Sequence, residues 1–164
     1  MEQFYTLNSK FGKLGILTDD TKLKKVILPN KLDLVNNDIT HPNEHSLYMR
    51  KIIDQLNHYF SGDLIKFDVQ YELAMSSFYK RVLNEVNKIP FGETASYKYI
   101  AKKIGHSMAY RAVANANAHN PVPIIVPCHR VILVNGTFGD YGGGKELKQK
   151  LIRFEKEITL KSNS

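Results

Sequence analysis

The chain has 164 residues, of which 43% are hydrophobic, enough for the core of one domain or of two small ones. Its single cysteine excludes an intrachain disulfide, and it disfavours a metal site built from several cysteines or histidines. The sequence contains no apolar run of membrane-spanning length and does not begin with a basic segment followed by an apolar one. We therefore expect a cytoplasmic protein that needs no membrane partner and no metal.

The net charge of +7 is confined to the second half of the chain. Residues 77–164 contain 14 lysines and arginines against 6 acidic residues, whereas residues 1–76 contain 9 against 10. A well-solvated surface explains a basic excess in most proteins, but so complete an asymmetry indicates a half that binds a polyanion. Nucleic acid is the polyanion we expect.

The first half is predicted to be a small α+β unit. Apolar residues flank the turn-like segment 18–21, which predicts a β-hairpin, and residues 67–71 alternate as a short strand. Between them an amphipathic helix is expected to end at Gly62. The expected apolar face of this helix consists of Leu47, Ile52, Ile53, Leu56, Tyr59 and Phe60. This half carries no constellation of chemical groups, and we interpret residues 1–75 as a scaffold domain.

The second half is predicted to be mainly helical. Ser76 or Ser77 can cap a first helix. A short helix from Tyr97 is followed by another over 109–118, for which Ser107 is the expected cap. Two short helices joined by a glycine-containing turn are typical of a helix-turn-helix, whose second helix commonly enters a DNA groove, although many helical hairpins bind nothing.

The only cysteine, Cys128, lies between two apolar runs and is followed directly by His129. Because nucleophilic sulfur is the thiolate, a reactive cysteine needs a base or a positive field nearby, and an adjacent imidazole is one source. Free cysteine is also among the most buried residue types, so the pair by itself favours a core position over a catalytic one.

A final helix from about Lys145 is expected to bury Leu147, Leu151, Ile152 and Phe154, with Glu155 next to that face.

Four motifs at characteristic intervals resemble one known family. They are GETASY at 92–97, RAV at 111–113, NPVPIIVPCHRV at 120–131 and YGG at 141–143. Together they closely resemble the O6-alkylguanine-DNA alkyltransferases, also called methylated-DNA:protein-cysteine methyltransferases. The resemblance runs from about Phe78 to Glu155, and the first half of the chain matches only in outline.

The resemblance implies an α+β protein with two domains. Residues 1–75 would form a small ribonuclease H-like α/β domain, and residues 76–164 a mainly helical, winged-helix-like domain with the helix-turn-helix. The implied activity is DNA repair by direct, stoichiometric transfer of a methyl or other alkyl group from O6 of guanine to Cys128, without a cofactor. Transfer from O4 of thymine stays open. The implied partner is double-stranded DNA that contains O6-alkylguanine, bound by a monomer through the minor groove.

The resemblance also implies a role for each catalytic residue. Cys128 is the nucleophile, His129 draws its proton through a water, and Glu155 orients His129. Asn120 braces the turn that holds the cysteine. Tyr97 helps to rotate the 3′ phosphate and then donates a proton to the guanine leaving group, since a neutral guanine leaves more easily than an anion.

DNA and substrate contacts follow from the same resemblance. Because O6 lies inside the stacked duplex, the nucleotide must be extruded, and Arg111 would occupy the vacated space. The other predicted DNA-binding residues are Tyr97, Ser96, Ala112, Asn115 and Ala116. The predicted substrate pocket contains Val131, Tyr141, Gly142 and Pro123. Within it, the carbonyls of Cys128 and Val131 would accept from the exocyclic amine of guanine, and the N–H of Gly142 would donate to O6.

Three residues depart from the family pattern, and two other functions stay open. Tyr79 and Leu83 are expected to alter packing, and Tyr110 to change how the helix seats on DNA if it faces the minor groove. An alkyltransferase-like protein would bind alkylated bases without repairing them, but such proteins lack the cysteine. A Cys-His-Glu hydrolase fits poorly, because adjacent residues in an extended segment point to opposite sides and the helix-turn-helix stays unexplained.

Overall fold

The computed structural model describes residues 1–163 and divides the chain into two compact units, Met1–Leu73 and Ala74–Ser164. Helices and strands occur in both units, which confirms the predicted α+β class. Within the described residues, no helix combines the length and the apolar character that crossing a membrane requires. The ribonuclease H-like and winged-helix-like assignments of the two halves stay predictions.

The first unit is a three-stranded antiparallel sheet with one α-helix and two short 3₁₀ turns. The strands β1 (Gln3–Ser9), β2 (Gly12–Thr18) and β3 (Leu23–Ile27) follow one another in the order β1-β2-β3, and α1 spans Leu47–Phe60. The 3₁₀ turns span Pro29–Leu34 and Pro42–Glu44. The β2–β3 pair confirms the predicted hairpin. The core of the first unit contains buried side chains of the sheet and of α1, namely Phe4, Leu14, Ile16, Met49, Ile52 and Leu56.

Two predictions for this unit are wrong. Leu47 is the first residue of α1 and is 83% exposed, so the buried face begins two residues later, at Met49. Residues 67–71 form no strand; Tyr71 makes an isolated parallel bridge with Leu23, whose N–H donates to the carbonyl of Gln70 at 2.8 Å. A single bridge pairs few backbone N–H and C=O groups. The alternating side chains of residues 67–71 indicate a strand, but they cannot provide the partner strand that pairing requires.

The second unit consists of four helices and a two-stranded parallel sheet. Its elements are α2 (Ser77–Val86), β4 (Ala95–Ser96), α3 (Tyr97–Lys103), α4 (Tyr110–Ala118), β5 (Val131–Ile132) and α5 (Lys145–Ser162). Ser76 caps α2 by accepting a bond from the N–H of Tyr79 at 3.3 Å, as predicted. Ser96 caps α3 in the same way through the N–H of Tyr99 at 3.0 Å. These caps set where α2 and α3 begin.

The helices α3 and α4 pack against each other across a turn that contains Gly105. Gly105 has a φ of 80°, a left-handed conformation that glycine adopts at little cost. Ser107 is not the cap of α4, which begins at Tyr110 and has Ala109 at the cap position without a side-chain bond. On α5, Leu147 is only partly buried, and Lys148 takes an inward position instead.

Candidate active site

Cys128 begins a short 3₁₀ turn, Cys128–Arg130, which we call the cysteine turn. The N–H of Cys128 donates to the carbonyl of Val126 at 2.8 Å, and the N–H of Arg130 donates to the carbonyl of Pro127 at 2.9 Å. Cys128, His129 and Arg130 are all buried. The turn lets Cys128 and His129 share one interior environment.

Asn120 holds the backbone that leads into the cysteine turn. Its Nδ2 donates to the carbonyl of Val126 at 2.8 Å, and its Oδ1 accepts from the N–H of Val122 at 3.0 Å. Between these anchors Ile124 has a φ of 73°, which is costly for a β-branched residue. The two side-chain bonds of Asn120 stabilise this strained turn. This is the geometry that a bracing role for Asn120 requires.

Glu155 on α5 is the centre of a buried hydrogen-bond network. Its carboxylate accepts from His129 Nε2 at 2.7 Å, from Arg130 Nε at 2.7 Å and Nη2 at 3.1 Å, and from the N–H of Gly92 at 3.3 Å. Burial by itself raises the pKa of this carboxyl, but His129 and Arg130 outweigh it and hold the pKa well below its usual range. Glu155 is therefore ionised in the interior, and the groups that donate to its carboxylate compensate the charge.

His129 is a neutral base with one nitrogen available. Burial lowers the pKa of the imidazole, and the charge of Glu155 opposes this only in part. Because an ionised carboxylate can only accept, the proton lies on Nε2, and Nδ1 keeps its lone pair. Within residues 1–163, no protein group bonds to Nδ1. The imidazole can therefore accept a proton through Nδ1 while Glu155 holds Nε2.

The Cys128 thiol is protonated at rest. Burial raises its pKa, and this effect is only partly opposed by Asn120, Lys148 and Tyr141. A buried thiol of raised pKa must give its proton to a base before it can attack. His129, the next residue of the cysteine turn, is such a base.

Tyr97 and Lys148 form a second buried pair. The Nζ of Lys148 donates to the Tyr97 hydroxyl at 3.3 Å and to the carbonyl of Asp140 at 3.4 Å. The same hydroxyl donates to that carbonyl at 3.5 Å. Burial raises the pKa of Tyr97 to about 12, and burial lowers the pKa of Lys148 to about 8.

Asn117 connects α4 with the cysteine turn. Its buried Nδ2 donates to the carbonyl of Cys128 at 3.1 Å, and the same carbonyl accepts from the N–H of Val131. Both lone pairs of the Cys128 carbonyl are thus engaged. A guanine amine predicted to bond there would have to share this oxygen.

The second unit matches a known family. Residues 77–157 match the family described as "6-O-methylguanine DNA methyltransferase, DNA binding domain". A Mycobacterium tuberculosis protein named methylated-DNA--protein-cysteine methyltransferase is 40% identical over 162 residues, which cover 95% of this chain and 93% of the relative. A Methanosarcina acetivorans protein of the same name is 40% identical over 148 residues, covering 90% and 94%. The chain belongs to the methylated-DNA:protein-cysteine methyltransferases.

Solved structures agree with this family. A structure of Mycobacterium tuberculosis OGT in complex with DNA aligns with a TM-score of 0.85 at 39% identity, covering 95% of this chain and 94% of that one. The O6-methylguanine-DNA methyltransferase of Pyrococcus kodakaraensis, at 21% identity and a TM-score of 0.67, shares the fold. The activity is thus that of a DNA-binding methyltransferase of DNA repair, as the sequence predicts.

The predicted DNA-binding residues of the methyltransferase lie on β4, α3 and α4. Arg111, Ala112 and Asn115 are exposed on α4, and Asn115 Nδ2 donates to the Tyr79 hydroxyl at 2.6 Å. Ala116 has no exposed surface, so we leave it out of the proposed DNA-binding face. The other two residues are on the first turn of α3, where Ser96 is the cap and Tyr97 is buried.

The predicted pocket residues surround the cysteine turn. Val131 is fully buried at the start of β5, and Pro123 is buried beside the strained Ile124. The Tyr141 ring lies 6.0 Å from Lys148 Nζ, and Gly142 follows it in the partly buried glycine loop. These positions are compatible with a pocket next to Cys128, and the assignment stays a prediction.

The three departures from the family pattern have local explanations. Leu83 is fully buried in the core of the second unit. Tyr79 bonds to Asn115 on α4, and the Tyr110 ring lies 5.3 Å from Lys98 Nζ. All three residues are outside the buried network around Cys128.

Sequence reasoning missed three buried polar residues of the site, namely Arg130, Asn117 and Lys148. The burial of Lys148 could have been predicted, because it shares the helical face of Leu151, Ile152 and Glu155 at three-, four- and seven-residue spacing. Asn117 lies four residues after Val113, which is on the buried face of α4. The burial of Arg130 could not be predicted from the sequence, because side chains in a turn follow no fixed periodicity.

Proposed function

We propose that the protein repairs double-stranded DNA by transferring a methyl or other alkyl group from O6 of guanine to the sulfur of Cys128. The observation that carries this proposal is the buried series Cys128, His129 and Glu155, in which the imidazole is neutral and keeps one free lone pair. It supplies a nucleophile, a base and an orienting carboxylate.

The proposed reaction begins with loss of the thiol proton. Cys128 gives its proton to Nδ1 of His129 through a water, and Glu155 stabilises the resulting imidazolium. The thiolate then attacks the alkyl carbon, the C–O6 bond breaks, and its electron pair leaves with the guanine. Tyr97 donates the proton that makes the leaving guanine neutral. The bond that forms is a thioether on Cys128.

DNA is proposed to bind through α3 and α4 with the protein as a monomer. The second unit carries the whole basic excess of the chain, and Arg111 is exposed at the start of α4. The helix-turn-helix would enter the minor groove, where Arg111 fills the space that the extruded nucleotide leaves. Ser96, Ala112, Asn115 and Tyr97 are the other proposed DNA contacts.

Each molecule is proposed to react once. A thioether has no carbonyl for water to attack, unlike the acyl-thioester of a cysteine hydrolase. The chain has no second cysteine that could accept the group. The reaction therefore stops at one equivalent.

The decisive experiment titrates an excess of duplex containing O6-methylguanine against the protein. We expect a burst of repair equal to the active protein, and an intact-protein mass gain of one methylene located on the Cys128 peptide. Cys128→Ser is the matched control and should bind DNA without any mass gain. Continued repair after the burst would falsify the single-turnover mechanism. The same assay with O4-methylthymine determines whether that lesion is accepted.

Arg111 is tested by comparing two substrates. Arg111→Ala should slow transfer from duplex DNA much more than transfer from free O6-methylguanine, because only the duplex requires extrusion, which costs a few kcal/mol. The measurement is the single-turnover rate on each substrate. Equal slowing on both would remove Arg111 from the extrusion step.

A further inference from the structure

The amide oxygen of Asn117 is a buried acceptor that the proposed reaction does not yet use. Asn117 is only 5% exposed, and within residues 1–163 no protein group bonds to its Oδ1. A buried polar atom without a partner costs free energy, so native proteins keep few of them, and each one calls for a water, an ion or a functional role.

The orientation of this amide is fixed by its neighbours. Its Nδ2 donates to the carbonyl of Cys128 at 3.1 Å, and because a carbonyl can only accept, the nitrogen must face it. Burial raises the pKa of Tyr97, and a hydrogen bond with the Asn117 side chain opposes this rise, which is the effect of a donor. Both contacts use the nitrogen, and Oδ1 is left as the unpartnered acceptor.

The same two neighbours place Asn117 beside the reacting centre. Cys128 carries the proposed nucleophile and Tyr97 the proposed proton donor, and the extruded base must reach both of them. The amide of Asn117 bonds to both of these residues. Its free oxygen therefore lies within reach of the base whose alkyl group is at Cys128.

An O6-alkylguanine base offers only one group that can donate to such an oxygen. Alkylation of O6 leaves N1 without a proton, so N1, N3 and N7 are all acceptors, and N9 is bonded to the sugar. The exocyclic amine on C2 is the remaining N–H group of the base. An unpartnered acceptor beside Cys128 can therefore bond to the base only through this amine.

We propose that Asn117 is a specificity-determining residue of the substrate pocket, whose Oδ1 accepts from the exocyclic amine of the alkylated guanine. This inference rests on the proposed function and deepens it, because it names a group that distinguishes guanine from a base without the amine. It also gives the amine an acceptor that is not already engaged, since the Cys128 carbonyl accepts from Asn117 and from the N–H of Val131.

The first test uses two duplexes of the same sequence that differ only in the amine. One contains O6-methylguanine and the other O6-methylhypoxanthine, which has the same rings and methyl group but no amine. With the second base Oδ1 stays buried and unpaired, so we expect wild-type transfer to be slower by about 10- to 100-fold. The measured quantity is the ratio of the two single-turnover rates.

Asn117→Leu replaces the amide with an apolar side chain of similar size and removes the acceptor. We expect it to lower the ratio by about tenfold or more, because the amine then has no partner at this position. Any difference in intrinsic reactivity between the two bases cancels when the ratios of the two proteins are compared. A ratio that is the same in wild type and in Asn117→Leu would overturn the proposal.

Two further variants separate recognition of the amine from a structural role of the side chain. Asn117→Asp keeps an oxygen at the position of Oδ1, so it should retain most of the ratio even where both rates fall. Asn84→Leu makes the same change at an exposed asparagine of α2 and should leave both rates unchanged. If Asn117→Asp loses the ratio as completely as Asn117→Leu does, Oδ1 is not the group that contacts the amine.

The second test repeats the comparison with the free bases O6-methylguanine and O6-methylhypoxanthine. In a duplex the amine also takes part in base pairing, so its removal changes the cost of extrusion as well as the contacts in the pocket. Free bases need no extrusion. The effect of Asn117→Leu on the ratio should persist with them, and an effect confined to the duplex would contradict a contact between Asn117 and the base.

Failure of this inference is distinguishable from failure of the proposed function. If wild-type protein does not gain a methyl group on Cys128 from O6-methylguanine, the proposed function is wrong. If it gains the group and Asn117→Leu slows both substrates equally, the side chain is structural and only the role of Oδ1 is wrong. Thermal unfolding of each variant confirms that rates are compared between folded proteins, and Asn117→Ala takes the place of Asn117→Leu if the leucine is not accommodated.

Discussion

The buried ammonium group of Lys148 carries a cost in folding free energy. Its pKa is lowered by burial from 10.5 to about 8, so the folded protein holds an ammonium ion less readily than the unfolded chain does. Below about pH 8 the folded state carries the full cost of the buried charge. The cost diminishes as pH rises to 10.5, above which both states are neutral.

Lys148→Met should therefore stabilise the protein at neutral pH. The gain in the free energy of unfolding is expected to reach up to about 3 kcal/mol, because each unit of pKa shift corresponds to about 1.4 kcal/mol. Denaturant unfolding at neutral pH and above pH 10.5 measures it, and the difference from wild type should shrink at the higher pH. A variant that is less stable than wild type at neutral pH would contradict this account of the burial.

Cys128 and Glu155 show how the same burial leaves two groups of the site in opposite protonation states. Burial leaves the thiol protonated, so the nucleophile is generated only when His129 accepts its proton. The carboxylate stays ionised in the same interior because Arg130 and His129 donate to it. Each residue has its state set by its partners, and neither state follows from residue type alone.

At the scale of elements, the turn before the cysteine determines where the nucleophile lies. Residues 122–126 form a tight loop that contains the left-handed Ile124, and the side chain of Asn120 bonds to both ends of it. A strained conformation persists when surrounding bonds over-determine it. The helix α5 then places Glu155 against the cysteine turn from the other side.

Asn120→Ala should remove the two side-chain hydrogen bonds that hold this turn. We expect a loss of about 1–3 kcal/mol in the free energy of unfolding, because the N–H of Val122 and the carbonyl of Val126 lose their partner. The transfer rate should fall as well, since Cys128 is no longer held. Asn120→Asp is the matched control: it keeps the acceptor for Val122, loses only the donor, and should lie between the two proteins in both measurements. An Asn120→Ala protein with wild-type stability and rate would refute the bracing role.

At the scale of the whole molecule, the basic excess lies in the second half of the chain and not in the half interpreted as a scaffold. Residues 1–76 are nearly neutral, whereas residues 77–164 contain the basic excess, the helix-turn-helix and the complete buried network. The family match also lies in this second part, at residues 77–157. The part of the chain proposed to hold DNA is thus also the part proposed to carry out the chemistry.

DNA binding should therefore weaken steeply with salt, because cationic side chains that neutralise phosphates release counterions. The measurement is the dissociation constant of Cys128→Ser on methylated duplex over a series of salt concentrations, which separates binding from transfer. Arg111→Ala should bind more weakly and with a shallower salt dependence. A dissociation constant that does not respond to salt would exclude the polyanion interpretation of the second half.

The sequence by itself determined the fold class and the family. The α+β composition, the β2–β3 hairpin and the cap at Ser76 follow from local patterns, and these predictions are confirmed. The motifs around Cys128 identified the family, and they lie within the residues that match its DNA-binding domain, 77–157.

Only the tertiary structure decided the environment of the predicted site residues. Residues 67–71 failed as a strand because no neighbouring strand pairs with them, and Ser107 failed as a cap because α4 begins at Tyr110. The buried partners Arg130, Asn117 and Lys148 come from a turn and two helices that are distant in sequence from the groups they contact. Burial and its hydrogen-bond partners are properties of the assembled fold, and they set the protonation states on which the chemistry depends.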